Sequence, residues 1–262
     1  MLPRLVVASA LTFQVLLSVG CLGSHPETNR PQTPTPVVES DFKLDQGPSS
    51  FGSEIGGLSQ EDVEEQFQAL QSEFLQCVDR AADDLSWIGG SVRIQMRLDP
   101  AGRVRWVHLT DSTLGDRDTE RCLLDKIRQR TWPRPLSGDG LAETTFEVEP
   151  SVRPLTWPRF KTSALAHRAR AATRTCWKGV DGKFMATAYV EPGGRVIAAG
   201  VAFPNELKSA NSNDEPTSDN SAARIEESEK ASDCIAVALR ELRVKSLTVA
   251  QRSTAKVSFS LP

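Results

Sequence analysis

The sequence has few of the residues, and none of the short motifs, on which most enzyme and metal sites depend. Its three histidines, His25, His108 and His167, are far apart, and no cysteine or histidine stands at CxxC, CxxH or HxxxH spacing. No GxSxG, HExxH or glycine-rich phosphate loop occurs. We therefore expect a non-enzymatic protein that has no catalytic residue, no metal and no cofactor.

A hydrolase is the alternative from another class of protein, and its general base would be a histidine. His108 lies in a predicted strand, where an ordinary strand residue is the simpler interpretation. His167 lies among Arg168, Arg170 and Arg174, which predicts a surface position. Interleaved basic and aromatic residues, the pattern of nucleic-acid binding, are absent. We therefore expect no nucleic-acid partner.

The hydrophobic run at the start of the chain is too short for a membrane span. Residues 1–20 carry one charge, Arg4, followed by apolar residues that end in small ones, which predicts a signal peptide. Ser18–Cys21 is similar to the lipobox of bacterial lipoproteins, which implies a lipid anchor on Cys21. Leu22 stands where Asp would signal inner-membrane retention, so the resemblance implies an exported outer-membrane lipoprotein that faces the periplasm. The alternative is that Cys21 is removed with an ordinary signal peptide.

Residues 21–58 lack apolar periodicity. They are rich in Pro, Ser, Thr and Gly and include the run PQTPTP at 31–36. Such a composition predicts a disordered tether between the lipidated cysteine and the folded part of the chain.

One hairpin pattern occurs twice, at 90–107 and, 92 residues later, at 182–199. In the first copy, apolar residues alternate with polar ones from Val92 to Leu98, which is typical of a strand with one buried face. A Pro and a Gly mark each turn, and Gly193 in the second turn would also permit a type II conformation. The four repeated turn residues are Pro100, Gly102, Pro192 and Gly194.

Predicted helices flank both hairpins. In the first copy, Ser59 caps a helix with an apolar stripe, and Asp116 caps a second helix that runs to about Arg130. The first stripe consists of Val63, Phe67, Leu70, Phe74, Val78 and Ala81. In the second copy the stripe is Leu165, Ala169, Ala172 and Cys176, and the closing strand contains Val257, Phe259 and Leu261. We align these last three with Thr144, Phe146 and Val148, which requires one extra residue in the loop before the closing strand of the second copy.

The order helix, strand, strand, helix, strand predicts an α+β fold of two tandem units. The first unit covers 59–150 and the second 159–262, with a linker at 151–158. The second unit carries an acidic insertion at about 205–233, which we expect to be a mobile loop with a short helix at 222–230. The first unit is net acidic and the second net basic. This difference suggests that the units attract each other, or that the acidic loop folds over the basic helix; independent solvated faces are the alternative.

The cysteine count fits an exported chain. Four of the five cysteines, Cys77, Cys122, Cys176 and Cys234, lie in the two units, and Cys21 is left over. Four cysteines permit three pairings, and the repeat favours one disulfide inside each unit, Cys77 with Cys122 and Cys176 with Cys234.

The first unit contains a set of elements that recur together: the hairpin 90–104, Ser112–Leu114, Asp116, Cys122 and Trp132–Pro135. This set resembles the TonB C-terminal-like domain of the AgmX/PglI gliding-motility type, found in myxobacterial envelope proteins. The second unit matches it only in its hairpin and cysteines. The resemblance implies a three-stranded antiparallel sheet with helices on one face in each unit. It also implies a module that binds a protein partner by strand pairing. Trp106 and Trp132 are candidates for a binding face, although core packing is the simpler role.

These patterns predict an envelope lipoprotein that acts as a protein–protein interaction or structural module, in a motility or transport assembly. A peptidoglycan-binding or small-ligand-binding lipoprotein is the alternative, and an envelope hydrolase is less favoured. The sequence leaves the identity of the protein partner and the oligomeric state open.

Overall fold

The computed structural model describes residues 42–43, 57–204 and 218–262. These residues form a mixed α+β structure with four α-helices and two sheets. The helices are α1 (Gln60–Ala82), α2 (Arg117–Arg128), α3 (Arg159–Thr173) and α4 (Ser218–Arg240). The strands are β1 (Phe42–Lys43), β2 (Gly90–Leu98), β3 (Val104–Ser112), β4 (Gly140–Val148), β5 (Leu155–Thr156), β6 (Phe184–Val190), β7 (Val196–Ala202) and β8 (Ala255–Leu261). The order helix, strand, strand, helix, strand therefore occurs twice.

The predicted helix starts of the first repeat are confirmed. The side chain of Ser59 accepts a hydrogen bond from the amide of Asp62 at 3.3 Å, and that of Asp116 accepts one from the amide of Thr119 at 3.0 Å. Both bonds satisfy an amide that has no partner inside its helix. The apolar stripe of α1 is buried as predicted, except that Ala81 is half-buried and Cys77 joins it.

Both hairpins form, with β2 antiparallel to β3 and β6 antiparallel to β7. In the turns, the amide of Gly102 donates to the carbonyl oxygen three residues earlier at 2.9 Å, and that of Gly194 does so at 2.8 Å. Both glycines have positive φ, 77° and 80°. Gly193 does not, so the type II turn that it permits is not formed. Pro100 and Pro192 are exposed in these turns.

Each sheet has a short fourth strand that the sequence did not predict. The first sheet has the order β1-β4-β2-β3 and is antiparallel throughout, and the second has the order β5-β8-β6-β7, with β5 parallel to β8. Strand β1 lies inside the predicted tether, and β5 lies inside the predicted linker. A strand of two residues is too short to show alternation. The sequence therefore predicts only the three long strands of each sheet.

The final strand of the second repeat has a different alignment from the predicted one. Phe146 lies opposite Val92, and Leu261 lies opposite Phe184, the residue that corresponds to Val92. Leu261 is therefore the counterpart of Phe146, not of Val148. The loop before β8 is three residues longer than its counterpart in the first repeat, and the predicted slip of one residue is wrong.

Each repeat has its own apolar core between its helices and its sheet. In α3 the predicted stripe is partly wrong, because Ala172 is exposed and Thr173 is buried in its place. The helix ends at Thr173, so Cys176 follows it in a turn. Ala202, at the end of β7, belongs to the second repeat but packs into the core of the first.

Helix α4 is longer than the short helix predicted in the insertion. It runs through Ser218–Arg240 and includes Cys234, so this part of the insertion is helical and not a loop. Residues 205–217, the rest of the predicted loop, lie outside the described residues. Among the described residues, no helix is both long enough and apolar enough to cross a membrane.

Candidate functional site

Two disulfides close the repeats with the pairing that the repeat predicts. Cys77 of α1 is bonded to Cys122 of α2, and Cys176 is bonded to Cys234 of α4. Their Cα atoms are 5.8 and 5.5 Å apart, as a disulfide requires. Such bonds persist in oxidising compartments, which supports export. Cys21, the signal peptide and most of the tether lie outside the described residues.

The turn glycines hold the segment that follows the second helix of each repeat. The carbonyl oxygen of Gly102 accepts from the amide of Trp132 at 2.9 Å, and that of Gly194 accepts from the amide of Val244 at 2.6 Å. A Cβ on Gly102 would collide with the carbonyl oxygen of Trp132. Trp132 is buried in the first core, where its Nε1 donates to the carbonyl oxygen of Ile127 at 3.1 Å. These residues therefore stabilise the fold.

The sheet edges β3 and β7 meet at the junction of the two repeats. The amide of Phe203 donates to the carbonyl oxygen of Leu109 at 3.1 Å. The amide of Val201 donates to Glu120 Oε2 at 3.0 Å, and the carbonyl oxygen of Val201 accepts from Arg117 Nη1 at 3.4 Å. Two side chains of α2 therefore pair with the edge of β7 in the place of a neighbouring strand.

Arg117 is buried at this junction and is surrounded by carboxylates. Its Nε lies 2.8 Å from Asp233 Oδ1, and its Nη2 lies 2.6 Å from Glu229 Oε2. Glu120 Oε2 is 3.7 Å from Nη1. Burial acts to lower the pKa of Arg117, but the charges of Glu229, Glu120 and Asp233 together raise it above its ordinary value. Arg117 is therefore a fixed cation that joins α2 to α4.

Glu120 is fully buried beside Arg117. Burial raises the pKa of Glu120 to about 7, while Arg117, Ser112 and the amide of Val201 act in the opposite direction. The hydroxyl of Ser112 lies 2.7 Å from Glu120 Oε1. A Cβ on Gly200 would collide with that oxygen, so the carboxyl group reaches β7 only because position 200 has no side chain.

Corresponding positions of the two repeats face each other across this junction. Helices α2 and α4 correspond with an offset of 112 residues, so Arg117 corresponds to Glu229 and Arg121 to Asp233. Arg117 pairs with Glu229, and Arg121 Nη1 lies 3.6 Å from Asp233 Oδ2. This is the arrangement of a two-fold interface, in which each patch meets its own counterpart. Opposite charges at corresponding positions attract each other in the tandem pair. In a pair of identical units the same positions would carry like charges, which would repel.

A second set of contacts joins the outer face of the second sheet to the loop before β2. The hydroxyl of Tyr189 donates to the carbonyl oxygen of Trp87 at 2.9 Å, and Lys256 Nζ donates to that of Gly89 at 2.6 Å. Burial lowers the pKa of Lys256 to about 8. The repeats therefore meet through polar contacts from both sheets as well as through α2 and α4.

His108 is unsuited to act as a general base. It is buried on β3, and neither ring nitrogen has a hydrogen-bond partner among the described residues. Burial lowers the pKa of His108 to about 4, so the ring is neutral at pH 7. Its ring centre is 5.4 Å from that of Trp106, which is buried but belongs to neither apolar core. His167 is exposed on α3, as predicted.

A cleft of about 310 Å³ lies between the two repeats. The Cys77–Cys122 disulfide and Ile197 supply apolar surface, and the charged residues come from the end of α1, the start of α2 and the end of α4. Arg240 of α4 pairs with Asp118 of α2 across it at 3.0 Å. Among the described residues, no group of three or more side chains is placed to hold a metal ion.

The outer edge of β8 is a second candidate surface. Strand β5 pairs with β8 only at Ala255 and Lys256. Because Thr254 accepts from the amide of Leu155 on this side, and successive residues alternate, Ser258 and Ser260 direct their amides and carbonyls to the same side. No strand among the described residues covers that stretch.

The hypothesis of attraction between the repeats is confirmed in one ion pair, in which Asp118 of the acidic first repeat meets Arg240 of the basic second repeat at 3.0 Å, but the other ion pairs have the reverse charges. The first repeat is net acidic and the second net basic, yet the ion pairs of Arg117 and Arg121 run from basic residues of the first to acidic residues of the second. The acidic residues of α4, in the insertion, therefore meet α2 and not the basic helix α3. Local charge placement, and not net charge, decides the contact.

Sequence reasoning missed Arg117, Glu120 and the other junction residues. One signal was available, since Arg117 and Arg121 are opposite in charge to Glu229 and Asp233, which stand 112 residues later. A second was the exchange of His108 for Gly200 at corresponding positions of two matching strands. Both signals concern the relation between the repeats, about which composition and periodicity inside each repeat give no information.

No family model, no curated protein and no solved structure matches this chain. The resemblance to TonB C-terminal-like domains therefore stays a prediction from sequence.

Proposed function

We propose that this chain is a non-enzymatic interaction module of the cell envelope, which receives an extended segment of a partner protein along β8. The open edge at Ser258 and Ser260 carries the proposal. Peptides commonly bind by adding a strand to such an edge, with main-chain hydrogen bonds supplying affinity.

The residue composition of this edge supports binding of an added strand. Proteins protect free edges with charged residues, proline or bulges. The stretch Val257–Leu261 contains no charged residue and no proline, and its pairing with β6 has no register shift. Lys256, the nearest cation, is engaged with Gly89 of the first repeat. Between Lys256 and Pro262 the edge is thus uncharged, free of proline and without a bulge, which suits strand addition.

The predicted anchor fits the same role. A lipid on Cys21, followed by a long tether, would hold the module at the outer membrane and present β8 to the periplasm. The two disulfides support an oxidising compartment of this kind.

Strand addition has a direct genetic test at Ser260. Ser260→Pro removes the outward amide but leaves the pairing with β6, because proline is tolerated where the amide faces away from the sheet. Ser260→Ala keeps the amide and is the matched control. A photo-reactive amino acid at position 262 records the partner in intact cells, and one at the exposed position 136 of the first repeat serves as the positional control.

We expect position 262 to cross-link one partner in the parent chain and in Ser260→Ala, and the adduct to disappear in Ser260→Pro. Purified Ser260→Pro must show an unchanged circular dichroism spectrum. An adduct that survives Ser260→Pro, or that is equally abundant from position 136, would contradict strand addition.

A further inference from the structure

We propose that the cleft beside the Cys77–Cys122 disulfide binds a short zwitterionic peptide, with its carboxylate on Arg80 and its ammonium group on Asp84. The volume of the cleft, about 310 Å³, lies at the small end of the range of ligand pockets, roughly 300–1,000 Å³. It therefore suits a ligand of one or two residues and not a folded partner.

Three of the charged residues in the cleft already have partners. Asp118 pairs with Arg240 at 3.0 Å. Asp116 Oδ2 accepts from the amide of Thr119 at 3.0 Å and from its hydroxyl at 2.7 Å, which caps α2. The pair Asp118–Arg240 joins two walls of the cleft, and Asp116 caps α2, so these charges are already engaged.

Arg80 and Asp84 are the charges that remain. Within the described part of the chain, neither has an ion pair or a side-chain hydrogen bond. Arg80 lies in the last turn of α1 and Asp84 lies two residues beyond its end, and both are exposed on the lining of the cleft. Helix α1 ends at Ala82, and the partial negative charge at its carbonyl end adds to the attraction of Asp84 for an ammonium group. One cation and one anion without partners among the described residues, on the lining of the same cleft, match a ligand that carries both charges.

The rest of the lining is apolar and fits a small side chain. Ala81, Leu85 and Ile197 join the disulfide on the surface of the cleft. Since Ile197 belongs to the second repeat and the charged pair to the first, the site requires the junction. It does not involve β8, so it is independent of the proposed partner binding.

Calorimetric titration of the intact chain with L-alanyl-L-alanine tests the proposal. N-acetylation removes the ammonium charge and C-amidation removes the carboxylate. We expect saturable binding of the free dipeptide and at least about tenfold weaker binding of each blocked form, as for the loss of one charged hydrogen bond.

Variants assign the two ends of the ligand. Arg80→Gln should weaken binding of the free dipeptide about tenfold and leave the C-amidated form unaffected, and Asp84→Asn should do the same for the N-acetylated form. Asp79→Asn, at an exposed position on the same helix, is the control and should bind like the parent chain. Absence of saturable binding, equal affinity for the blocked forms, or unchanged affinity of both variants would overturn the proposal.

D-Alanyl-D-alanine distinguishes two sources of the same chemistry. Tighter binding of the D,D form supports a cell-wall peptide as ligand, and tighter binding of the L,L form supports a peptide derived from protein.

Discussion

Gly200 and His108 occupy corresponding positions of the two repeats but have opposite consequences. At Gly200 the missing side chain admits the carboxyl group of Glu120 to the edge of β7. At His108 a large polar ring is buried with no hydrogen-bond partner among the described residues. The junction is therefore two-fold in outline but differs in its contacts at these two positions.

Gly200→Ala tests the close approach of Glu120. The new Cβ would collide with Oε1, and the carboxyl group cannot move without losing its bonds to Ser112 and Val201. We expect a loss of about 1–3 kcal/mol in the free energy of unfolding, measured by urea denaturation. Gly193→Ala is the control, because its Cβ comes no closer than 3.4 Å to the Glu191 side chain. Equal stability of the two variants would argue against the buried contact.

The burial of His108 predicts a loss of stability in acid. The folded protein takes up a proton on His108 only at about pH 4, whereas the unfolded chain does so near its usual value of 6.5. Stability from this group is therefore complete above pH 6.5 and declines as the pH falls toward 4. We expect His108 to contribute a decrease of about 2–3 kcal/mol in the free energy of unfolding between pH 7 and 4.5, measured as the difference in pH dependence between the parent chain and His108→Leu.

Comparison with His108→Leu isolates this effect in urea denaturation at the two pH values. The raised pKa of Glu120 acts in the opposite direction, with stability lost as the pH rises from about 4.5 to 7, but both proteins share it. If the parent chain and His108→Leu showed the same dependence on pH, His108 would not be buried as described.

At the scale of elements, α2 and α4 are held together by Arg117. Arg117→Met removes the cation and leaves the carboxylates of Glu229, Asp233 and Glu120 without it, which we expect to cost about 3–5 kcal/mol of unfolding free energy. Arg121→Met is the matched control, since Arg121 also pairs with Asp233 but is largely exposed, and it should cost about 1 kcal/mol or less. Urea denaturation at pH 7 measures both, and similar losses in the two variants would refute the central role of Arg117.

The two disulfides differ in access. Cys77 is buried and Cys122 is half-buried, whereas Cys176 is half-buried and Cys234 is exposed. Because thiol–disulfide exchange requires access to a sulfur atom, we expect a mild thiol reductant to open Cys176–Cys234 first under native conditions. Alkylation of the freed thiols followed by peptide mass mapping reads out the order. Earlier release of Cys77 and Cys122 would be the contrary outcome.

The sequence predicts the elements that carry a long periodic signal. The stripe of α1 and the alternation in β2 extend over many residues, and the caps Ser59 and Asp116 mark helix starts. Strands β1 and β5 were missed because two residues have no period. In α3, alanines form much of the stripe, and an alanine on the wrong face costs little, so the pattern did not distinguish Ala172 from Thr173.

The candidate surfaces depend on contacts between repeats, and periodicity inside one repeat contains no such information. Asp118 fits the preference for acidic residues at a helix start, and Arg117 beside it would be expected on the surface. Only the position of α4 makes Arg117 a buried cation and pairs Asp118 with Arg240. The disulfide pairing was predictable because the duplication itself removes the other two connectivities.

At the scale of the molecule, the junction determines which sheet edges stay open. Strands β3 and β7 face each other, and their edge groups are satisfied across the repeats. The short strand β5 covers only the start of β8. The duplication therefore uses one edge of each sheet to join the repeats, and no strand among the described residues covers the end of β8.

Amide hydrogen exchange of the intact chain, followed residue by residue by NMR, tests this arrangement most directly. If the junction forms as described, the amides of Val201 and Phe203 exchange slowly although β7 is an edge strand, and those of Ser258 and Ser260 exchange rapidly. Rapid exchange at Val201 and Phe203, or protection at Ser258 and Ser260 in the free chain, would contradict the account.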